Sequence, residues 1–299
     1  MTDVSVIIVN YNTLAITRDC IASVVEHSHD IDYEIIVVDN ASTDGSRDYF
    51  PTDRRIRYIY NDANVGFGRA NNIGMRAASG KYLLLLNSDT QLLNNALRLL
   101  YDAAEAYGAR LGVMGAILLS PAQQPTHSYG QFITIGSSLR EPVARLWHHL
   151  THTQSDLYHP TIPQSCRQVE YVSGADMFVP RQVFERTGGF DEDFFMYAED
   201  AEWQYRIAAL GLDIVVIGSP RIIHLEGASD SSQHRQWSYT RFYNALRSRM
   251  LYIRKHNSRL AYAVFRCLYA IVRTPSIVFA GYAWRQKWSL LRLITIEKL

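Results

Sequence analysis

Three cysteines in 299 residues, Cys20, Cys166 and Cys267, are too few and too scattered for a disulfide framework or a thiolate metal site. The expectation is a reducing, cytoplasmic setting. The opening MTDVSVIIVNYN also lacks the basic start and cleavage site of a signal peptide. Glycine and proline, at 17 and 9, exclude a collagen-like chain, and 47% apolar content excludes a disordered one. No uncharged run in the C-terminal region is long enough for a membrane span: the longest, Thr274 to Trp284, has eleven residues, against the ~20 that a spanning helix needs. The first turn, NYNTLAI, has no glycine, which argues against a dinucleotide fold, and no P-loop occurs. The missing glycine-rich loop with a basic residue after the first strand also disfavours a sugar nucleotidylyltransferase.

What the chain does have is a charge asymmetry hidden by a net charge of +1. From Arg235 to Leu299 there are thirteen Lys or Arg, one acid (Glu297) and twelve aromatic residues. The first 234 residues hold seventeen basic and twenty-eight acidic side chains. Basic residues interleaved with Tyr, Trp, Phe and Leu suit a helix lying in a bilayer interface near anionic lipid. A packed helical hairpin and an oligomer interface remain alternatives. Nucleic acid is not expected as a partner.

Apolar runs alternate with helical spacing over the first 120 residues, as in an α/β sheet. Strands are expected at Val4–Val9, Ile35–Val38, Tyr58–Tyr60, Tyr82–Leu86 and Gly112–Leu119, and helices at 13–26, 68–79 and 93–107. Residues 121–168, polar and rich in histidine, read as a long loop excursion. Within it His148, His149 and His152 read as a solvated or acceptor-side loop rather than a metal site. Regularity returns at 169–180, in a helix from about Glu199 to Leu210, and in two short strands at 214–217 and 222–225. Three regions follow: 1–120, 121–230 with the loop excursion 121–168, and 231–299 as a helical extension.

Ligands in open α/β sheets collect at the carboxyl ends of strands. Here those ends carry Asn10-Tyr11-Asn12, Asp39-Asn40, Asn61 to Asn64 and Asn87-Ser88-Asp89. Each alone is ordinary turn and cap chemistry; four at successive strand ends suggest a ligand. Asp39 suits the N–H of a pyrimidine base. Asp89 suits a divalent cation shared with phosphates, since Mg²⁺ and Mn²⁺ take oxygen ligands and use few carboxylates.

From Val4 to about Ser229, the ordered motifs SVIIVNYN, VVDNASTDGS, NVGFGRANNIG, LLLLNSD, SGADMFVPR, GGFDEDFFMYAEDAEWQYRI and HLEGAS resemble family 2 inverting glycosyltransferases of the GT-A fold. The rhamnosyltransferase-like subgroup is the nearest in pattern. The resemblance implies a Rossmann-like mixed sheet flanked by helices, with nucleotide-sugar binding in 1–120 and acceptor binding and catalysis in 121–230. It implies that Val9, Asn10, Tyr11 and Asp39 line the nucleotide site. Asn64, Gly66, Phe67 and Asn71 would follow the ribose and diphosphate, with Gly66 and Gly68 permitting close backbone approach. Asn87, Ser88 and Asp89 match an Asp-x-Asp metal motif whose first carboxylate is here an amide. His224 matches a histidine that completes the metal site in some relatives. Asp200 of Glu199-Asp200 takes the place of the catalytic base, although both acids also suit a helix N-terminus. Ser173, Gly174, Ala175, Asp176, Phe190, Asp191, Phe195 and Glu199 fall on the acceptor side. The implied reaction moves a sugar from a nucleoside-diphosphate donor, dTDP-rhamnose or a UDP-sugar, to a saccharide or lipid-linked acceptor with Mg²⁺ or Mn²⁺, at the inner face of the cell membrane. The alternative is a catalytically degenerate sugar-nucleotide or glycan-binding module; a homo-oligomer is possible.

Overall fold

The computed structural model describes residues 2–151, 162–163, 165–225 and 239–297, of which 145–151 as backbone alone. The chain opens with β1 (Val4–Asn10), α1 (Leu14–His27), β2 (Tyr33–Asp39), the single turn α2 (Ser46–Tyr49) and β3 (Arg57–Tyr60). Next come α3 (Phe67–Ala77), β4 (Tyr82–Asn87), β5 (Thr90–Leu92), α4 (Ala96–Tyr107) and β6 (Leu111–Leu119). They are followed by β7 (Tyr129–Gly130), α5 (Ile135–Thr151), β8 (Arg167–Gln168), β9 (Tyr171–Val172) and β10 (Asp176–Pro180). The last elements are α6 (Arg181–Thr187), α7 (Glu199–Ala208), β11 (Asp213–His224), α8 (Tyr239–His256), α9 (Arg259–Val278) and α10 (Trp284–Thr295).

Two compact units emerge. One comprises Met1–Phe132, His159–Phe195 and Glu199–Ser231, the other Ile133–Tyr158, Met196–Ala198 and Ser232–Leu299.

The first unit is built on a nine-stranded sheet in the order β3-β2-β1-β4-β10-β6-β11-β5, with β8 also on β11. β1 to β4 run parallel, as continuous apolar runs covered on both faces should. β10 enters antiparallel between β4 and β6, which makes the sheet mixed. Val6, Ile8, Leu84 and Leu86 face one apolar cluster, and Ile7, Leu83 and Leu85 the other. This alternation is the period-two geometry of a strand sandwiched between helices. α3 packs on β1 and β2, and α4 presents Leu97, Leu100 and Ala104 to the other layer.

Three features differ from the sequence reading. The two short strands expected after 213 are one strand, β11, with a register break between Ile217 and Ile222; Pro220 inside that break has no N–H to give a ladder. β5, a three-residue strand, returns antiparallel along the end of β11 and pairs Thr90 with His224. The excursion contains α5, which goes with the C-terminal helices in the second unit rather than standing as a loop.

The second unit buries Leu246, Met250, Ile253, Phe265, Tyr269, Ile277, Leu290, Leu293 and Ile294 among α8, α9 and α10. No described helix is long and apolar enough to cross a membrane.

Candidate active site

The strand ends are joined by a lattice of short amides and hydroxyls. Asn10 is fully buried: its Oδ1 accepts from the Thr13 and Thr17 hydroxyls at 2.9 and 2.8 Å, and its Nδ2 donates to Ser42 at 3.0 Å. Asn12, at φ 55°, accepts from the Thr43 N–H at 2.7 Å while its own N–H donates to Ser42. The loops after β1 and β2 are thus tied to one another. Asn40 does the same for the loop after β3. It donates to Asn64 Oδ1 at 2.9 Å and accepts from Asn61 Nδ2 and the Val65 N–H, each at 3.1 Å.

Asp39 closes β2 with no solvent exposure, its carboxylate accepting from the Ser42 N–H at 2.9 Å and the Tyr58 hydroxyl at 2.6 Å. Burial, then the bond to Asp39, drives the Tyr58 hydroxyl pKa well up, so this phenol stays a donor. Tyr11 and Val9 are the more open side chains at the end of β1, Tyr11 exposed and Val9 half-buried.

Gly66 and Gly68 lie against another segment of the chain. Gly66 sits at φ 89°, and a Cβ there would lie 2.3 Å from the Phe195 carbonyl oxygen; at Gly68 it would meet Phe190 Cβ at 3.0 Å. Both glycines therefore let the backbone pass close to the chain's own 190–195 loop. The Phe67 N–H donates to that carbonyl at 3.0 Å, and Arg69 Nε to the Glu192 carbonyl at 2.7 Å. Asn72 pairs with the Phe190 backbone in both directions, at 2.8 and 2.9 Å. Residues 118 to 123 positions apart are therefore locked together. The sequence alone did not single out Asn72, because an asparagine in a helical run reads as surface.

The loop after β4 brings the expected metal residues together. Pairing of β5 with β11 sets His224 against Asp89, with Nε2 3.3 Å from Oδ1, and the Leu225 N–H donates to the Asp89 carbonyl at 2.9 Å. Asn87 Nδ2 lies 3.5 Å from the same imidazole nitrogen, and Ser88 Oγ 3.5 Å from the Thr13 hydroxyl. Both metal candidates are largely buried, and His224 Nδ1 has no hydrogen-bond partner among the described residues. A converging carboxylate oxygen and imidazole nitrogen fit a divalent cation that takes its other ligands from phosphate and water. Among the described residues, no group of three or more His, Cys, Asp or Glu side chains could hold a metal unaided. Beneath the loop, burial drives the Cys20 thiol up to about 12, which keeps it an inert neutral neighbour.

Asp200, half-buried at the start of α7, accepts from the Gly174 N–H at 3.0 Å and from the Ala201 N–H at 2.8 Å. Burial raises its pKa; the two N–H bonds and the nearby charge of His127 pull the other way. Glu199 is buried, with Oε2 lacking any hydrogen-bond partner. Burial and then the Asp200 charge push its pKa up to about 8. Burial thus shifts both neighbouring carboxyls towards the protonated form.

α7 is fixed by groups the sequence did not flag. Gln204, fully buried, bonds the Val172 N–H and carbonyl, both at 2.8 Å. Trp203 Nε1 donates to the Thr187 hydroxyl at 2.8 Å, and Arg206 grips Glu202 and the Thr187 and Gly189 carbonyls.

Several expected acceptor or nucleotide contacts are turned inward instead. Asp176 is fully buried and accepts from the Ala116 N–H at 2.5 Å, where the β10–β6 ladder stops after Phe178 and Met114. Burial raises its pKa well above normal, and its Oδ1 finds no hydrogen-bond partner among the described residues. Ala175 is likewise core. Phe190 packs against Trp203 with centroids 4.8 Å apart. Asn71 bonds the Phe67 carbonyl of its own helix. Phe195 is exposed, and Asp191 is half-buried with its carboxylate accepting from the Asp193 N–H at 3.0 Å. Residues 226–229 of HLEGAS, and the side chains of His148, His149 and His152, lie outside the described residues.

Residues 5–167 match the family model for glycosyl transferase family 2. The chain belongs to that family. A similar relative is an N-acetylglucosaminyl-diphospho-decaprenol L-rhamnosyltransferase of Mycobacterium tuberculosis, 27% identical over 64% of this chain and 66% of its own. Another is the low-salt glycan biosynthesis hexosyltransferase Agl10 of Haloferax volcanii, 24% identical over 99% of this chain and 86% of its own. Among solved structures, GalNAc-T7 with UDP, GalNAc and Mn²⁺ overlays with a TM-score of 0.62 at 15% identity, over 98% of this chain and 54% of that one. TarS of S. aureus overlays at 0.57 and 15%, over 96% and 47%. The chain thus spans just under two-thirds of the rhamnosyltransferase and about half of each solved chain. These glycosyltransferase neighbours agree with the GT-A expectation for the fold.

Proposed function

We propose that this glycosyltransferase moves a sugar, with inversion, from a nucleoside-diphosphate donor to a saccharide acceptor carried on a lipid. The donor is dTDP-rhamnose or a UDP-sugar. The printed activity of the mycobacterial relative, on a decaprenol-linked N-acetylglucosamine, supports a lipid-linked acceptor in surface-polysaccharide synthesis. The observation that carries the reading is the Asp89–His224 pair at the strand ends, in a chain whose Asp200 carboxyl is held by two backbone N–H groups.

Asp89 and His224 would hold Mg²⁺ or Mn²⁺. Such an ion neutralises charge on the departing diphosphate. Tyr11 is free to stack on the base, and Asp39 takes a pyrimidine N–H if the Tyr58 hydroxyl swings off its carboxylate. Asp200, ionised, accepts the proton of the acceptor hydroxyl as that oxygen bonds to C1 and the C1–O(phosphate) bond breaks. Glu199, neutral, leaves Asp200 without a second negative charge beside it. The working place is the inner membrane face, with the basic C-terminal region at the lipid.

Asp200→Asn tests the assignment. Sugar transfer should fall by about 10²–10⁴-fold, the range for loss of a general base, with UDP or dTDP binding within about twofold of wild type. Transfer within tenfold of wild type would remove Asp200 from this role.

A further inference from the structure

α9 is an amphipathic helix turned inside out. Its two internal arginines point into the second unit. Arg273 is only 5% exposed, with its guanidinium 4.9 Å from the centre of the Phe242 ring. Arg266 donates to the carbonyls of Leu293, Ile294 and Glu297, which lie at the C-terminus of α10, where a cation is favoured. The outward face carries Leu260, Val264, Leu268 and Ile271 at spacings of four, four and three, with Ala263 and Cys267 beside them. Leu260 is 76% and Ile271 70% exposed. The stripe continues through Pro275, Val278 and Phe279, so that along about 30 Å of helix Arg259 at the start is the exposed charge, Arg266 being half-buried and Arg273 buried.

Further apolar surface adjoins it. Val143, Leu139 and Ala144 of α5 form a groove of about 630 Å³ with Leu268 and Val272. α10 exposes Trp284 and Trp288, one turn apart. The groove shares Leu268 with the stripe, and apolar surface of this extent marks an interaction site.

Charge decides the occupant. Arg140 lines the groove, Arg259 opens the stripe and Arg285 adjoins Trp284, all exposed. From Arg235 onward thirteen cations face a single acid. A second copy seated on this face would set like charge against like, which costs affinity. Trp and Arg around an apolar stripe instead match the interface of an anionic leaflet.

We propose that the outer face of α9, with Trp284 and Trp288, is a docking surface for an anionic lipid bilayer, lying in its interface rather than crossing it. This deepens the proposed function by naming the lipid side of a lipid-linked acceptor, and rests on that reading only there.

The test is co-sedimentation of the full chain with vesicles, without donor or acceptor. Wild type should partition at least tenfold more strongly onto phosphatidylglycerol than phosphatidylcholine vesicles, and the double variant Val264→Glu, Ile271→Glu should lose at least tenfold. UDP binding by the same sample shows that the first unit is intact, which separates failure of the docking surface from failure of the transferase reading. Cys267 gives a second readout. With Cys166→Ser removing the other exposed thiol, a spin label on Cys267 should gain oxygen accessibility and lose nickel accessibility on phosphatidylglycerol. No binding by wild type, equal binding by the double variant, or a label that stays water-accessible overturns the proposal. So does a wild-type dimer that the double variant dissociates, which assigns the face to a second copy.

Discussion

The two units bury polarity in opposite ways. In the first, apolar strands are inside, and polar groups gather at the strand ends, each satisfied by another: Asn10 with Thr13, Thr17 and Ser42, Asn40 with Asn61 and Asn64. In the second, α9 turns Arg266 and Arg273 inward and displays leucine, valine and isoleucine. A water-facing site needs polar groups held in place before the ligand arrives, because each fixed donor then costs no reordering on binding. A lipid-facing helix needs the reverse, with charge sequestered against carbonyls or carried at the ends of the apolar stripe.

That contrast predicts a graded set of responses. The largest stability loss should come from Asn72→Ala, which strips the Phe190 N–H and carbonyl of buried partners. Each unsatisfied group costs about 1–3 kcal/mol, so unfolding should become easier by more than about 2 kcal/mol, read from denaturant midpoints. A loss under about 0.5 kcal/mol would show that the 190–195 loop is held elsewhere.

A smaller, pH-dependent effect belongs to Glu199. Its pKa is raised to about 8 in the folded protein, against ~4.3 for an unperturbed glutamate. Between these values the folded state keeps a proton that the unfolded state has released. Stability is therefore full below the unfolded value and falls as pH rises towards 8. Glu199→Gln should flatten the decline of the melting temperature between pH 5 and 8.5; an unchanged slope would place the titration elsewhere. The smallest effect should be at Ile271, which touches little: Ile271→Ser should leave the melting temperature within about 2 °C, as exposed substitutions do. A large drop would mean that the apolar face of α9 is covered by protein.

The sequence made the sheet legible where strands are buried on both faces, since SVIIV, IIVV and LLLL allow little else. β5 was not, because Thr90-Gln91-Leu92 has no period of its own and becomes a strand only beside β11. α5 was read as loop from its polar surroundings, and its apolar side chains Ile135 and Leu139 find their partners in the distant C-terminal helices. Of the site, Asp89 and His224 were legible and do meet. Asp176 was misread as acceptor-facing, because sequence shows a carboxylate but not which face of β10 carries it. Asn72 and Gln204 escaped notice for the complementary reason: a polar side chain in a helix reads as solvated until something buried bonds to it.

The central claim is that Asp89 and His224 join a nucleoside diphosphate in binding a divalent cation. Calorimetric titration of UDP and dTDP into wild type, Asp89→Ala and Asp200→Asn, each with and without Mn²⁺, tests it most directly. The account predicts binding that Mn²⁺ strengthens at least tenfold in wild type and Asp200→Asn, with that gain absent in Asp89→Ala. Equal nucleotide affinity with and without Mn²⁺, or an undiminished Mn²⁺ effect in Asp89→Ala, would contradict it.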